Sequence, residues 1–305
     1  MNFEKMYSTI DTHVAGEAFR IVLHSSIMLN EMNITLNNKK LQSEFQTEKA
    51  ILLNEPRGHR DMHGCIVVPS RDAHFGLLFF NHDENVQFKY GGLVATITAL
   101  LETGNLKQCE DHQYTVETIE GIYHLKVTMK NQEVTSVYIE SGQCFVQKQV
   151  EDYQIVSVDD KRNYALFTSL PSDIPSIDLK YLSQINAWGK RTIDYLMKEQ
   201  SLEGVIITEA IDGQLDNVRS LTFERDGTIL RSPGFDSSFA IFTALRSSHQ
   251  SIKQISNTSI FNSCFTAFLA TEDNQFSIAT EGFVTGIHDF IVDQDDPLHD
   301  GFVLK

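Results

Sequence analysis

Two segments of this chain share a pattern that restricts the folds open to it. They are Lys89-Tyr90-Gly91-Gly92-Leu93-Val94-Ala95-Thr96-Ile97-Thr98-Ala99-Leu100 and Gly234-Phe235-Asp236-Ser237-Ser238-Phe239-Ala240-Ile241-Phe242-Thr243-Ala244-Leu245. Both contain Ala-x-x-Thr-Ala-Leu, and Ala95 and Ala240 lie 145 residues apart (240 − 95), close to half of the 305-residue chain. Each segment reads as a loop with Gly or Ser that runs into an apolar helix. A helix that is apolar all round is a buried one. Two such elements predict two related half-domains, each built around its own buried helix and both facing one site.

The remaining sequence is dominated by strand patterns. Short β-rich runs bounded by turn residues fall at Phe19–Ser25, Ile51–Leu53, Cys65–Pro69, Gly76–Asn81, Tyr114–Ile119, Ile122–Met129 and Val134–Glu140. Glu120-Gly121 and Asn131-Gln132 are the turn candidates among them. Strand patterns return at Val205–Thr208, Arg219–Phe223, Thr228–Leu230, Cys264–Thr271, Gln275–Thr280 and Asp289–Val292. Helices are predicted at Gly91–Glu102, Leu179–Lys198 and Ser237–Arg246, the last with Asp236-Ser237-Ser238 as capping side chains. Many strands around few helices, without regular βαβ alternation, give an α+β fold. Residues 1–150 with about 285–305 form the expected N-terminal half and 151–284 the C-terminal half. Polar Gln147–Val158 is the expected crossing between them.

Composition narrows the partners. A formal net charge of −16 argues against nucleic acid and anionic membranes, both of which repel an acidic surface. Apolar residues at 41% leave enough for a sizeable core, and no run of 18 apolar residues marks a membrane span. Cys65, Cys109, Cys144 and Cys264 are far apart and form no C-x-x-C pair, so neither a zinc site nor a disulfide framework is expected. The first residues lack the pattern of a signal peptide, and the expected location is the cytoplasm.

Five ordered motifs then carry a specific resemblance. They are Asp11-Thr12-His13-Val14-Ala15-Gly16-Glu17-Ala18-Phe19-Arg20, Glu55-Pro56-Arg57-Gly58-His59-Arg60-Asp61-Met62-His63-Gly64 and Leu100-Leu101-Glu102-Thr103-Gly104. Asp226-Gly227 with Arg231-Ser232-Pro233 is the fourth, and Phe283-Val284-Thr285-Gly286-Ile287-His288-Asp289-Phe290 with Asp295-Asp296-Pro297-Leu298 is the fifth. In these the chain resembles the proline racemase family of proline racemases, hydroxyproline epimerases and trans-3-hydroxyproline dehydratases. The resemblance implies a diaminopimelate epimerase-like fold: two pseudo-symmetric halves, each wrapping a sheet around a central helix, with the site between them. It implies cofactor-independent proton abstraction at the α-carbon of proline or hydroxyproline. The two helix N-termini would hold the substrate carboxylate, and a thiol from each half would serve one face of the α-carbon. The partner implied is a small amino or imino acid, and family members are often homodimers.

At the two thiol positions the chain departs from the family. Gapless counting back from Leu100-Leu101-Glu102-Thr103-Gly104 puts the first Cys position at Lys89, and a shift of one residue puts it at Tyr90. The second Cys position is Gly234, the preceding family Asp is Leu230, and a family Gly is Phe235. A Gly-Gly-Asn-Phe segment near the substrate has become Lys161-Arg162-Asn163-Tyr164. The expected site residues are therefore Lys89, Gly234 and Asp236 for chemistry, with Tyr90, Gly91, Gly92, Leu230, Phe235 and Ser237 around the ligand. Two readings stay open. In one the fold persists as a noncatalytic small-molecule binder, a pseudoenzyme. In the other Lys89, with its pKa lowered by the helix dipole, is the base of a one-sided reaction such as dehydration. Neither supports two-base racemisation, which must reprotonate the opposite face. Against these stand plainer readings: Lys89 as a solvated loop lysine, Asp236 as a helix N-cap, and His13, His59, His63 and His288 as structural hydrogen-bonding residues rather than metal ligands.

Overall fold

The computed structural model describes residues 3–82, 88–271 and 273–303. From the N-terminus it runs β1 (Phe3–Val14), β2 (Glu17–His24), α1 (Ile34–Glu44), α2 (Gln46–Leu53), β3 (His63–Val68), β4 (Phe75–Phe80), α3 (Tyr90–Glu102), β5 (Gln113–Thr118), β6 (Gly121–Lys130) and β7 (Glu133–Glu140). There follow β8 (Phe145–Gln149), β9 (Gln154–Val158), β10 (Arg162–Phe167), α4 (Leu182–Glu199), β11 (Gly204–Ile211), β12 (Gln214–Glu224), α5 (Phe235–Ser248), β13 (Gln254–Ser259), β14 (Cys264–Thr271), β15 (Gln275–Thr280) and β16 (Phe283–Asp293). The chain divides into two units: Met1–Val137 with Thr280–Lys305, and Tyr138–Ala279.

In the first unit the strands are ordered β16-β1-β2-β3-β4-β5-β6. β1 pairs antiparallel with both β2 and β16, and β3 with β4. The β2–β3 and β4–β5 pairs are parallel. A parallel pair needs a crossover connection; α1 and α2 supply the first and α3 the second. Every residue of α3 from Tyr90 to Leu101 is buried. On the other face of the sheet α1 and α2 enclose a core of Tyr7, Val22, Leu41, Ile51, Leu52, Leu53, Ile66 and Phe80.

The second unit repeats this plan as β15-β14-β13-β12-β11-β10-β9-β8. Its parallel pairs are β10–β11, bridged by α4, and β12–β13, bridged by α5. α5 is buried along most of its length, while α4 covers a separate core of Ile155, Ile185, Ile193, Leu196, Val205, Ile207 and Phe223. Each unit is thus a mixed sheet around a central helix, and the fold is α+β of the diaminopimelate epimerase-like kind.

Four local expectations are corrected. Ile51–Leu53 is the last turn of α2, not a strand: a three-residue apolar run looks the same in either state until its neighbours decide it. Thr228–Leu230 is not a strand of the sheet but returns onto β12 through a single bridge, Phe223 to Ile229. Gln147–Val158 is no crossing segment; it contains most of the β8–β9 hairpin inside the second unit, and the division falls earlier, at Val137. Asp236 does not cap α5, since Phe235 already begins the helix and Gly234 occupies the cap position without a side-chain bond.

Candidate active site

In the first unit the site is assembled by strand register. Phe19 of β2 pairs with His63 of β3, which sets Glu17 and His63 near each other under the start of α3. The helix can lie that close because it begins with Gly91 and Gly92. A Cβ on Gly91 would stand 2.8 Å from Phe19 Cζ, and one on Gly92 would stand 2.5 Å from Phe79 Cε1. Lys89 precedes the helix in an extended conformation and makes no side-chain capping bond. Its Nζ lies 3.6 Å from Glu17 Oε1, and the same oxygen lies 3.1 Å from His63 Nε2. The side chains of Lys89, Glu17 and His63 are only 14%, 8% and 11% exposed. Lys89 is therefore not a solvated loop lysine. A cation at a helix N-terminus is disfavoured by the dipole, and the Glu17 carboxylate offsets that cost.

The other motif residues of this unit tie strands together. Asp11 and Arg20 face each other across β1–β2 and form a two-point ion pair at 2.8 and 2.7 Å. The Arg20 guanidinium also stacks over Phe290 of β16 at 4.4 Å, and His288 Nε2 reaches Asp11 at 3.4 Å. His13 stacks on Phe283 at 5.1 Å between ring centres. Tyr90 turns inward, edge-on to Phe88 at 4.9 Å and to Tyr123 at 5.5 Å. Cys65 is buried beneath α3; burial pushes its thiol up to about 12, partly opposed by its bond with Thr96, while the Glu17 charge adds a smaller push upward. Such a thiol is no nucleophile near neutral pH. Among the described residues no group of three or more His, Cys, Asp and Glu is placed to hold a metal ion.

In the second unit the corresponding position has no side chain. Gly234 has φ 73° and ψ 131°, and a Cβ there would lie 2.7 Å from both Leu230 Cδ2 and Ser237 Oγ. Ser237 is buried and its hydroxyl bonds with that of Thr222 at 2.7 Å. Phe235 is buried against Phe265 with ring centres 4.8 Å apart. The Asp236 carboxylate receives bonds from Arg162 Nε at 2.8 Å, Arg162 Nη2 at 3.2 Å and the Tyr164 hydroxyl at 2.8 Å. Arg162 also binds Asp159, so one buried guanidinium neutralises two carboxylates. Burial, followed by the Asp236 charge, pushes the Tyr164 phenol well above its ordinary range. Asp236 is thus fully engaged by neighbours of its own unit, which does not suit a base.

Of the residues expected from sequence, Lys89, Gly91 and Gly92 gather with Glu17 and His63, while Leu230, Gly234 and Ser237 meet at the start of α5. Sequence reasoning did not connect Glu17 and His63 with Lys89, or Arg162 and Tyr164 with Asp236. These contacts join residues 72 apart (Lys89 and Glu17, Tyr164 and Asp236) and 74 apart (Arg162 and Asp236), so they depend on which strands and helices become neighbours.

Comparison with known proteins gives a consistent result. The family model described as "Proline racemase" matches residues 9–160. A trans-3-hydroxy-L-proline dehydratase of Bacillus cereus is 29% identical over 334 aligned positions, covering all of both chains. A proline racemase of Acetoanaerobium sticklandii is 24% identical over 336 positions, again covering all of both. Among solved structures, a hydroxyproline epimerase from Agrobacterium vitis with bound trans-4-hydroxy-L-proline superposes with a TM-score of 0.84 at 19% identity, covering 100% of this chain and 96% of the other.

Proposed function

Since this chain belongs to the proline racemase family, we propose that it performs that family's α-carbon chemistry in a one-sided form: dehydration of a 3-hydroxyproline-type imino acid, with Lys89 as the acid–base group. The observation that carries the reading is the asymmetry of the two helix starts. Lys89 is largely buried beside Glu17 and His63, whereas Gly234 offers no side chain and Asp236 is held by Arg162 and Tyr164.

One acid–base group suffices for this substrate class. In a trans-3-hydroxy-L-proline the hydroxyl and the carboxylate lie on opposite faces of the ring, so the α-hydrogen and the hydroxyl share a face. The amine of Lys89 takes the α-proton, the C2–H electron pair forms the C2=C3 bond, and the C3–O bond breaks. The new ammonium returns its proton to the departing hydroxyl, which leaves as water. Glu17 Oε1 lies 3.6 Å from Lys89 Nζ and 3.1 Å from His63 Nε2, so the three side chains stand within reach for proton exchange. The start of α3, with its dipole and no side-chain cap, suits the substrate carboxylate. Racemisation needs a proton donor on the second face as well; by the family resemblance that donor would stand at Gly234, which has no side chain.

The test is incubation of purified protein with trans-3-hydroxy-L-proline, reading loss of one water by mass spectrometry, alongside L-proline and trans-4-hydroxy-L-proline read by chiral chromatography. Dehydration that disappears in Lys89→Ala, with no inversion of the other two, is the expected result. Dehydration that survives Lys89→Ala removes Lys89 from the mechanism. Absence of turnover by the unaltered protein overturns the reading in favour of a binding role.

A further inference from the structure

The second unit contains a cavity of about 460 Å³ that is remote in sequence from both helix starts discussed above. It lies where the turn after β8, the end of β10, the loop that follows and α4 come together. A cavity of this size is within the range that holds small-molecule ligands.

Its walls have a distinct chemistry. Tyr153, Phe167 and Trp188 are partly buried rings packed on the α4 core, and each also lines the cavity. Tyr153 and Phe167 lie 5.1 Å apart, tilted by 31°; Phe167 and Trp188 lie 5.1 Å apart and nearly perpendicular, at 88°. The rings therefore form a corner, with π faces in two directions. The polar part of the lining is rich in acceptors. Glu151 and Asp152 stand exposed on the β8–β9 turn, and among the described residues no Lys, Arg or His lines the cavity. Gln154, also in the lining, has its Oε1 buried without a hydrogen-bond partner. A buried amide oxygen left unpaired costs free energy until a donor reaches it. Thr168 and Ser169 add hydroxyls.

We propose that this cavity binds a small organic cation, a primary to quaternary amine, through the faces of Tyr153, Phe167 and Trp188 and the charges of Glu151 and Asp152. Aromatic faces attract cations through the ring quadrupole. The two carboxylates supply the attraction at longer range, and the net charge of −16 on the whole chain adds to it. An anion such as an imino acid's carboxylate would meet the Glu151 and Asp152 carboxylates here and no cationic side chain of the described lining. The site is therefore chemically separate from the proposed dehydration and stands whether or not that reading does.

The chain supplies its own probe, since Trp188 is its one tryptophan. Its emission should be followed while tetramethylammonium chloride is added at constant ionic strength, with tert-butanol as a neutral ligand of similar shape. The expected result is a saturable change with the ammonium ion and none with tert-butanol. The double variant Glu151→Gln/Asp152→Asn, on exposed positions, should bind about five- to tenfold more weakly, as two partly screened charges imply. A strictly linear, collisional response overturns the proposal. So does equal binding of tert-butanol, or an unchanged midpoint in the double variant.

Discussion

Restoring a side chain at Gly234 should damage the protein rather than recover a racemase. At φ 73° and ψ 131° the backbone lies in a region that only glycine enters easily, and another residue there costs about 1–3 kcal/mol. The added Cβ would stand 2.7 Å from Leu230 Cδ2 and from Ser237 Oγ and 3.1 Å from Ser237 Cβ. Ser237 cannot retreat without breaking its 2.7 Å bond to Thr222. Overpacking of this kind costs about 1–3 kcal/mol. Gly234→Ala should therefore lose about 4 kcal/mol, the middle of the summed ranges, and Gly234→Cys at least as much. Gly213 provides the control: its φ is 70°, yet no atom lies within 4 Å of its would-be Cβ. Gly213→Ala should cost about 1–2 kcal/mol from conformation alone. Urea unfolding followed by Trp188 emission reads the second unit directly. With a slope of about 2 kcal/mol per molar urea, the Gly234→Ala midpoint should fall by about 2 M. Adding Leu230→Ala removes one of the two nearest atoms and should narrow the gap between the two glycine variants. If Gly234→Ala falls no further than Gly213→Ala, the steric reasoning is refuted.

Other consequences can be measured on the same protein. Arg162→Ala should destabilise by about 3–5 kcal/mol because it leaves Asp159 and Asp236 buried without their cation; adding Asp159→Asn and Asp236→Asn should return part of that loss in urea melts. Burial pushes the thiols of Cys65 and Cys144 from 9.0 up to about 12. The folded state thus holds those protons more tightly than the unfolded chain, so their stabilisation is complete below pH 9 and is lost as pH rises toward 12. At about 1.4 kcal/mol per pH unit the loss approaches about 4 kcal/mol for each thiol. Cys65→Ala should accordingly flatten the decline in urea midpoint between pH 9 and 11. Gly92→Ala should cost more than a solvent-facing helical glycine, since its Cβ would enter the Phe79 ring; a melting temperature equal to the unaltered protein's would contradict the close approach of α3.

The sequence revealed the buried helices and most strands because their signals are local. α3 is apolar at nearly every position, and β6 and β7 alternate buried and exposed residues as their sequence does. α1 was not legible for a physical reason. One of its three buried positions is Asn37, whose amide satisfies the backbone of Glu31 from inside the core. That exchange of an apolar residue for a polar one erased the helical stripe, and only the Asn33 cap remained as a signal. At the candidate site the motif spacing pointed to Lys89 and Gly234, which the structure places at the cap positions of α3 and α5. It could not show that Glu17 and His63 gather beside Lys89, since that depends on which strands become neighbours. Nor could it show that Arg162, read as a replaced glycine, holds Asp236.

The return of the chain as β16 has a consequence for synthesis. β1 pairs with β16 from Phe3 to His13, and Arg20, Asp11 and Thr285 bind across that seam. A ribosome makes β16 only after every residue of the second unit. During translation β1 therefore waits with one edge unpaired, and such edges invite pairing with other chains. The second unit, contiguous from Tyr138 to Ala279, can close as soon as it emerges. Vectorial synthesis thus favours the later-made unit as the first to finish. It also makes β1, the strand that carries Asp11, Thr12 and His13, the point most open to misassembly in crowded translation.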